Sequence, residues 1–130
     1  MIKTDEDSAI KDSDSELING FVTLSKAWNL NDTEQEKILG RDLASSILKR
    51  KTSESLLRIH GRDRTRMATL LSIKDNIDTL YDGDRCDTYI RSPNKAFDGR
   101  SPLEIILSEP DDGLDQVKVY LMGAILGGYG

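Results

Sequence analysis

Residues 89–130 read YIRSPNKAFDGRSPLEIILSEPDDGLDQVKVYLMGAILGGYG. Ser101 is placed to cap a helix, Pro102 suits its first position, and Glu104 stands three residues after the cap. This is a capping box with proline in the first turn. Pro110 is expected to stop that helix. Gly113 is expected to precede another, running from Leu114 to about Leu126. Leu114, Val117, Leu121, Ala124 and Ile125 form its core stripe; Val119, Met122 and Leu126 form a second. A surface helix needs one stripe. Two readings fit the second: a dimer or partner interface, or a helix that is central to its own fold. The segment thus reads as a compact helical module made to touch another molecule.

Outward from this module the pattern stays helical. Met67, Leu70, Ile73, Ile77 and Leu80 alternate by three and four, predicting a core helix from about Arg62 to Tyr81. A short helix over Arg85 to Arg91 is broken by Ser92, Pro93 and Asn94, and Asp98-Gly99 signals a turn. Thr52 or Ser53 opens a helix through His60, which Gly61 interrupts. Upstream, Asn31 or Asp32 caps a helix that ends at Gly40, and a second follows from Asp42. On this second helix Leu43, Ala44, Ile47 and Leu48 share one arc, and Ser45, Ser46, Lys49 and Arg50 the opposite arc. That outline fits a helix-turn-helix, with Arg41, Ser45, Ser46, Lys49, Arg50 and Lys51 as DNA-binding candidates. It fits equally a plain helical hairpin with a wet outer face. From Ser15, the residues Leu17, Phe21, Leu24 and Trp28 make a stripe, with Trp28 as core anchor. Residues 1–14 are acidic, polar and expected to be disordered.

The expected fold is therefore all-α, with a helix-turn-helix unit over 15–66 and a helical module over 67–130. Composition agrees: 37% hydrophobic, 32% charged and only 5% aromatic residues suit helices better than a sandwich of strands. The net charge of −5 is unevenly spread. Within 41–66, Arg41, Lys49, Arg50, Lys51, Arg58, Arg62, Arg64 and Arg66 face only Asp42, Glu54 and Asp63, whereas both flanking regions are acidic. A local field decides where a polyanion docks, although a solvated helix face gives the same run.

The chemistry of an enzyme is missing. His60 is the only histidine and Cys86 the only cysteine, so neither a zinc cluster nor a triad can be assembled. Asp111, Asp112 and Asp115 read as acids in the first turn of the last helix, without the spacing of a calcium loop. No cofactor is expected. No apolar stretch approaches the roughly 20 residues of a membrane span. The polar N-terminus does not read as a signal peptide, and a single cysteine fits the cytoplasm.

RMATLLSIKDNIDTLY (66–81) followed by YIRSPNKAFDGRSPLEIIL (89–107) and a glycine-rich end resembles the MbcA/ParS/Xre antitoxin family. The resemblance runs from about Trp28 to Gly130 and is most specific at P-N-x-x-F-x-G-x-S-P-L-E, Pro93 to Glu104. The family often carries an arginine and a tryptophan in its second helix-turn-helix helix. Ile47 to Lys51 hold those places here without a tryptophan, and Tyr89 stands where the family has another. The resemblance implies a type II antitoxin whose partner is a RES-type toxin that consumes NAD or transfers from it. It implies that the C-terminal module covers the toxin's active-site cleft, while the N-terminal unit, in a homodimer, binds operator DNA. The toxin-binding candidates are then Arg100, Asp111, Asp112, Asp115, Tyr120 and Tyr129, and the dimer candidates Val119, Met122 and Leu126. A stand-alone repressor of the same fold, without a toxin, is the alternative.

Overall fold

A computed structural model describes the backbone of residues 2–50, 59 and 61–127, and the side chains of 15–45, 47, 59 and 61–127. It is all-α, as the sequence predicts. The helices are α1 (Ile2–Ala27), α2 (Asp32–Leu39), α3 (Arg41–Arg50), α4 (Gly61–Leu80), α5 (Asp84–Tyr89), α6 (Pro102–Ser108) and α7 (Pro110–Gly127), with a 3-10 turn at Lys95–Phe97. Among the described residues the only extended pairing is an isolated bridge between Asn94 and Arg100. The helix expected from Thr52 or Ser53 to His60 lies outside the described residues except for Ile59, which is buried, and Lys51 and Tyr129 lie outside them too.

The first correction concerns the N-terminus. α1 begins at Ile2, not near Ser15, so the stretch expected to be disordered is helical in backbone. No glycine or proline interrupts residues 2–19, and Asp5, Glu6 and Asp7 sit at the end of the helix where the dipole favours negative charge. Ile18, Phe21, Leu24 and Trp28 are buried, while Leu17, expected in the stripe, is only half-buried. α1 ends in a Schellman motif. Asn29 takes a left-handed φ of 55°, the Leu30 N–H donates to the Ser25 carbonyl, and the Asn29 N–H donates to Lys26.

α2 is capped by Asn31: its side chain accepts from the Glu34 N–H at 2.8 Å, and Glu34 accepts from the Asn31 N–H at 3.0 Å. Gly40, at φ 92°, stops α2 and turns the chain into α3. α3 buries Ala44 and Ile47, as its apolar arc predicts.

α4 is the central strut. Met67, Leu70, Ile73 and Ile77 are fully buried, and α4 packs chiefly on α7 and α1. The border expected between residues 66 and 67 falls inside this helix. One core joins Phe21 and Leu24 of α1, and Trp28 just after it, to Ile106 of α6 and Leu114, Val117 and Leu121 of α7.

The second correction concerns Pro110 and Gly113. Pro110 opens α7 rather than only closing α6, because a single residue, Glu109, separates the two helices. Proline is tolerated at a first helical position, where its missing N–H would have no partner anyway. Gly113 lies inside α7 and is buried. A Cβ there would fall 2.3 Å from the Ile105 carbonyl oxygen and 3.0 Å from Ile106 Cα. Glycine is what lets α7 fold back against α6.

Candidate functional site

The motif from Pro93 to Glu104 builds one scaffold. Asn94 Oδ1 accepts from the Ala96 N–H and caps the 3-10 turn. Its Nδ2 donates to the Tyr89 hydroxyl at 3.1 Å, and its backbone is bridged to Arg100. Phe97 is buried, and Asp98 and Gly99 take left-handed φ values of 56° and 84° to reverse the chain. Ser101 then caps α6 in the expected capping box with Glu104, and Pro102 follows. Each residue of the pattern that is not Pro93 thus has a local structural task. Burial pushes the Tyr89 phenol up to about 12, helped by Tyr81, which stacks on it at 4.9 Å. It is a packing group and hydrogen-bond acceptor here.

This scaffold sets the 3-10 turn beside α7. Between them runs an open groove of about 540 Å³, lined by Ala96, Phe97, Asp112, Asp115, Gln116, Val119 and Tyr120. Phe97 and Tyr120 meet edge to face, 5.3 Å apart. The floor is therefore aromatic and one rim carries two carboxylates. Val119 is 69% exposed, and the same helix continues outward with Met122 at 43% and Leu126 at 83%. Asp112, Asp115 and Tyr120, expected as toxin-binding residues, are brought together here, joined by Val119, expected in the dimer face. Phe97, Ala96 and Gln116 were not singled out by the sequence. The aromatic in P-N-x-x-F was the available signal for Phe97.

Two other candidates go elsewhere. Arg100 lies along α6, donating to the Ser108 hydroxyl and the Glu104 carbonyl. Asp111 accepts from Arg66 Nε at 3.1 Å and Nη2 at 2.7 Å. The Arg66 side chain is only 13% exposed and also donates to the Ile38 carbonyl at 3.0 Å. It caps α2 rather than adding to an outward basic face. Arg91, which the sequence reading passed over, does the same for α1. It donates to the Trp28 and Asn29 carbonyls and forms a forked pair with Glu34 at 2.9 and 3.2 Å. That hydrogen bond from Arg91 holds the Glu34 carboxyl below its ordinary range.

Of the DNA-binding candidates, Arg41 is exposed at the first position of α3. Ser45 is half-buried in a shallow depression with Asp32, Gln35, Glu36 and Ala44, so two carboxylates flank it. The side chains of Ser46, Lys49 and Arg50 lie outside the described residues. Among the described residues no group of histidine, cysteine or carboxylates could hold a metal ion, and no helix is long and apolar enough to cross a membrane.

Residues 79–128 match the family described as the antitoxin Xre/MbcA/ParS C-terminal toxin-binding domain. The groove and the scaffold beneath it lie within this segment. Over 105 residues the chain is 30% identical to the uncharacterized protein y4oB of Sinorhizobium fredii (strain NBRC 101917 / NGR234), with 80% of each chain covered. No solved structure matches. The chain belongs to the Xre/MbcA/ParS antitoxin family, and residues 79–128 correspond to that family's C-terminal toxin-binding domain.

Proposed function

We propose that this chain neutralises a RES-type, NAD-consuming or ADP-ribosylating toxin by seating the groove between the 3-10 turn and α7 on the toxin's active-site cleft. One observation carries the reading: within the family's toxin-binding segment, an aromatic and aliphatic floor stands beside an acidic rim. A cleft that binds a dinucleotide phosphate presents basic residues. Asp112 and Asp115 would pair with them while Tyr120 and Val119 supply the apolar anchor. Inhibition is then occlusion, with no chemistry performed by the antitoxin. Tyr129 would follow α7 into the same cleft.

The N-terminal helices supply the second activity in this proposal. α2 and α3 form the helix-turn-helix that binds the operator and represses the operon. Arg41, Ser45 and Ser46 position α3, and Lys49, Arg50 and Lys51 contact phosphates. The chain acts as a homodimer through Met122 and Leu126, whose exposure on α7 supports a second protein surface.

The decisive experiment is growth rescue on co-expression with the toxin encoded beside this gene. Wild type should rescue and Tyr120→Ala combined with Val119→Glu should not, while both melt alike. Rescue by the double variant would remove the groove as the toxin site. Replacing Lys49, Arg50 and Lys51 with glutamate should weaken promoter binding and flatten its salt dependence while leaving rescue intact. An unchanged salt slope would remove α3 from the DNA interface.

A further inference from the structure

Three helices from distant parts of the chain meet at one guanidinium. Arg66 of α4 uses Nη1 on the Ile38 carbonyl of α2 and Nε with Nη2 on the Asp111 carboxylate of α7. Ile38 is the penultimate residue of α2, and its carbonyl is one that a helix end leaves without a backbone partner. Gly40 and α3 follow at once. The Gly40 N–H donates to the Glu36 carbonyl at 2.7 Å and the Ala44 N–H to the Gly40 carbonyl at 3.1 Å. Arg66 therefore holds the joint between the two helices read as the DNA-binding pair. Its other two hydrogen bonds go to a carboxylate that is two-thirds exposed, 66%, one residue before the groove's acidic rim.

We propose that Arg66 is a positioning residue for the α2–α3 joint, and that Asp111 sets its hold according to what occupies the rim of the groove. A partner's lysine or arginine at that rim competes with Arg66 for the Asp111 carboxylate. Once Asp111 is taken, the guanidinium keeps only its bond to Ile38 and loses the anchor that fixes its plane. The joint at Gly40 loosens, and α3 is no longer held in one setting. Occupancy of the toxin-binding end is thereby felt at the N-terminal helix pair without a separate regulatory ligand. This coupling rests on the functional reading above for what sits at each end. The ion pair and the capped joint are independent of it.

The test is amide hydrogen exchange on the full-length chain, comparing wild type with Asp111→Asn, Arg66→Lys and Glu109→Gln. Asp111→Asn removes the carboxylate charge as capture by a partner cation would. Arg66→Lys keeps the charge and loses the fork. Glu109→Gln makes a matched charge change beside α7. The Gly40 and Ala44 amides should exchange about fivefold faster in Asp111→Asn and in Arg66→Lys. The Leu103 amide, bonded to the Ile90 carbonyl, should change by less than about twofold and serves as the reference for global stability. Equal acceleration at Leu103 would mean that the pair stabilises the whole fold, and would overturn the proposal. Exchange at Gly40 and Ala44 indistinguishable from Glu109→Gln would also overturn it. In parallel, fluorescence anisotropy on the upstream promoter duplex should show an affinity shift of about threefold or more for Asp111→Asn and none for Glu109→Gln. If the wild-type chain binds no promoter DNA, the DNA reading fails while the exchange result still decides the joint.

Discussion

Gly113→Ala should unfasten the hairpin of α6 and α7. The added methyl carbon would sit 2.3 Å from the Ile105 carbonyl oxygen and 2.9 Å from its carbonyl carbon. Ordinary contact is about 1 Å longer. The obstacle is backbone in a helix, so no side chain can rotate away, and α6 must move bodily from α7. Overpacking of this kind costs about 1–3 kcal/mol, and a backbone clash belongs at the upper end. Alanine returns about 1 kcal/mol through its better helix propensity. The net loss is about 2 kcal/mol. For 130 residues the unfolding entropy is about 0.27 kcal/mol per degree, so the melting temperature should fall by about 7 °C. Gly61→Ala is the control, since nothing lies within 4 Å of its would-be Cβ. It should melt at or slightly above wild type. The assay is thermal unfolding followed by circular dichroism, with the native helical signal compared first. A Gly113→Ala melt within about 2 °C of wild type would refute the argument that glycine is required by the approach of the two helices.

Three further outcomes are expected. Ser101→Ala removes the α6 cap, costs about 1 kcal/mol, and should lower the melting temperature by about 4 °C, more than the same change at the half-buried Ser92, which caps no helix N-terminus. Arg91→Gln should destabilise the protein in a pH-dependent way. Glu34 is held below its ordinary value of 4.5 in the folded state, so its pairing contributes fully above that value and is lost as pH falls through the folded one. The gap in melting temperature between wild type and Arg91→Gln should be widest near neutrality and close on acidification; a constant gap would contradict the pairing. Val119→Glu, at a 69%-exposed site, should leave the melt within about 2 °C of wild type and abolish capture of the toxin in a pull-down. Undiminished capture would show that the groove floor is not in the interface.

What the sequence made legible were features whose cause is local. The cap at Asn31 or Asp32, the capping box at Ser101–Glu104, the turn at Asp98-Gly99 and the buried face of α4 are all written within a few residues. The start of α1 is hidden by the acidic composition of residues 1–14, although no helix breaker stands there. The groove was half legible: α7's surplus apolar stripe and its acids could be read. Phe97 could be placed against Tyr120 only once the 3-10 turn was folded beside α7. Arg66 and Arg91 were illegible as caps. Their partners lie 28 and 63 residues away for the carbonyls of Ile38 and Trp28, and no periodicity spans such distances. Counting Arg66 into a basic run measured charge along the chain, whereas a binding surface depends on where each charge ends up.

The shared core has a consequence for inheritance. The segment that matches the toxin-binding domain begins at residue 79, inside the last turn of α4. Met67, Leu70, Ile73 and Ile77, which cover α7 and tie it to α1, all precede it. The segment that the family model matches is thus smaller than the packed core it belongs to. A chimera cut at the edge of the match would carry the groove and leave behind the helix that packs beneath α7. Grafts meant to exchange partner specificity between such proteins should be cut upstream of Gly61, or should swap only the groove's lining on an intact α4.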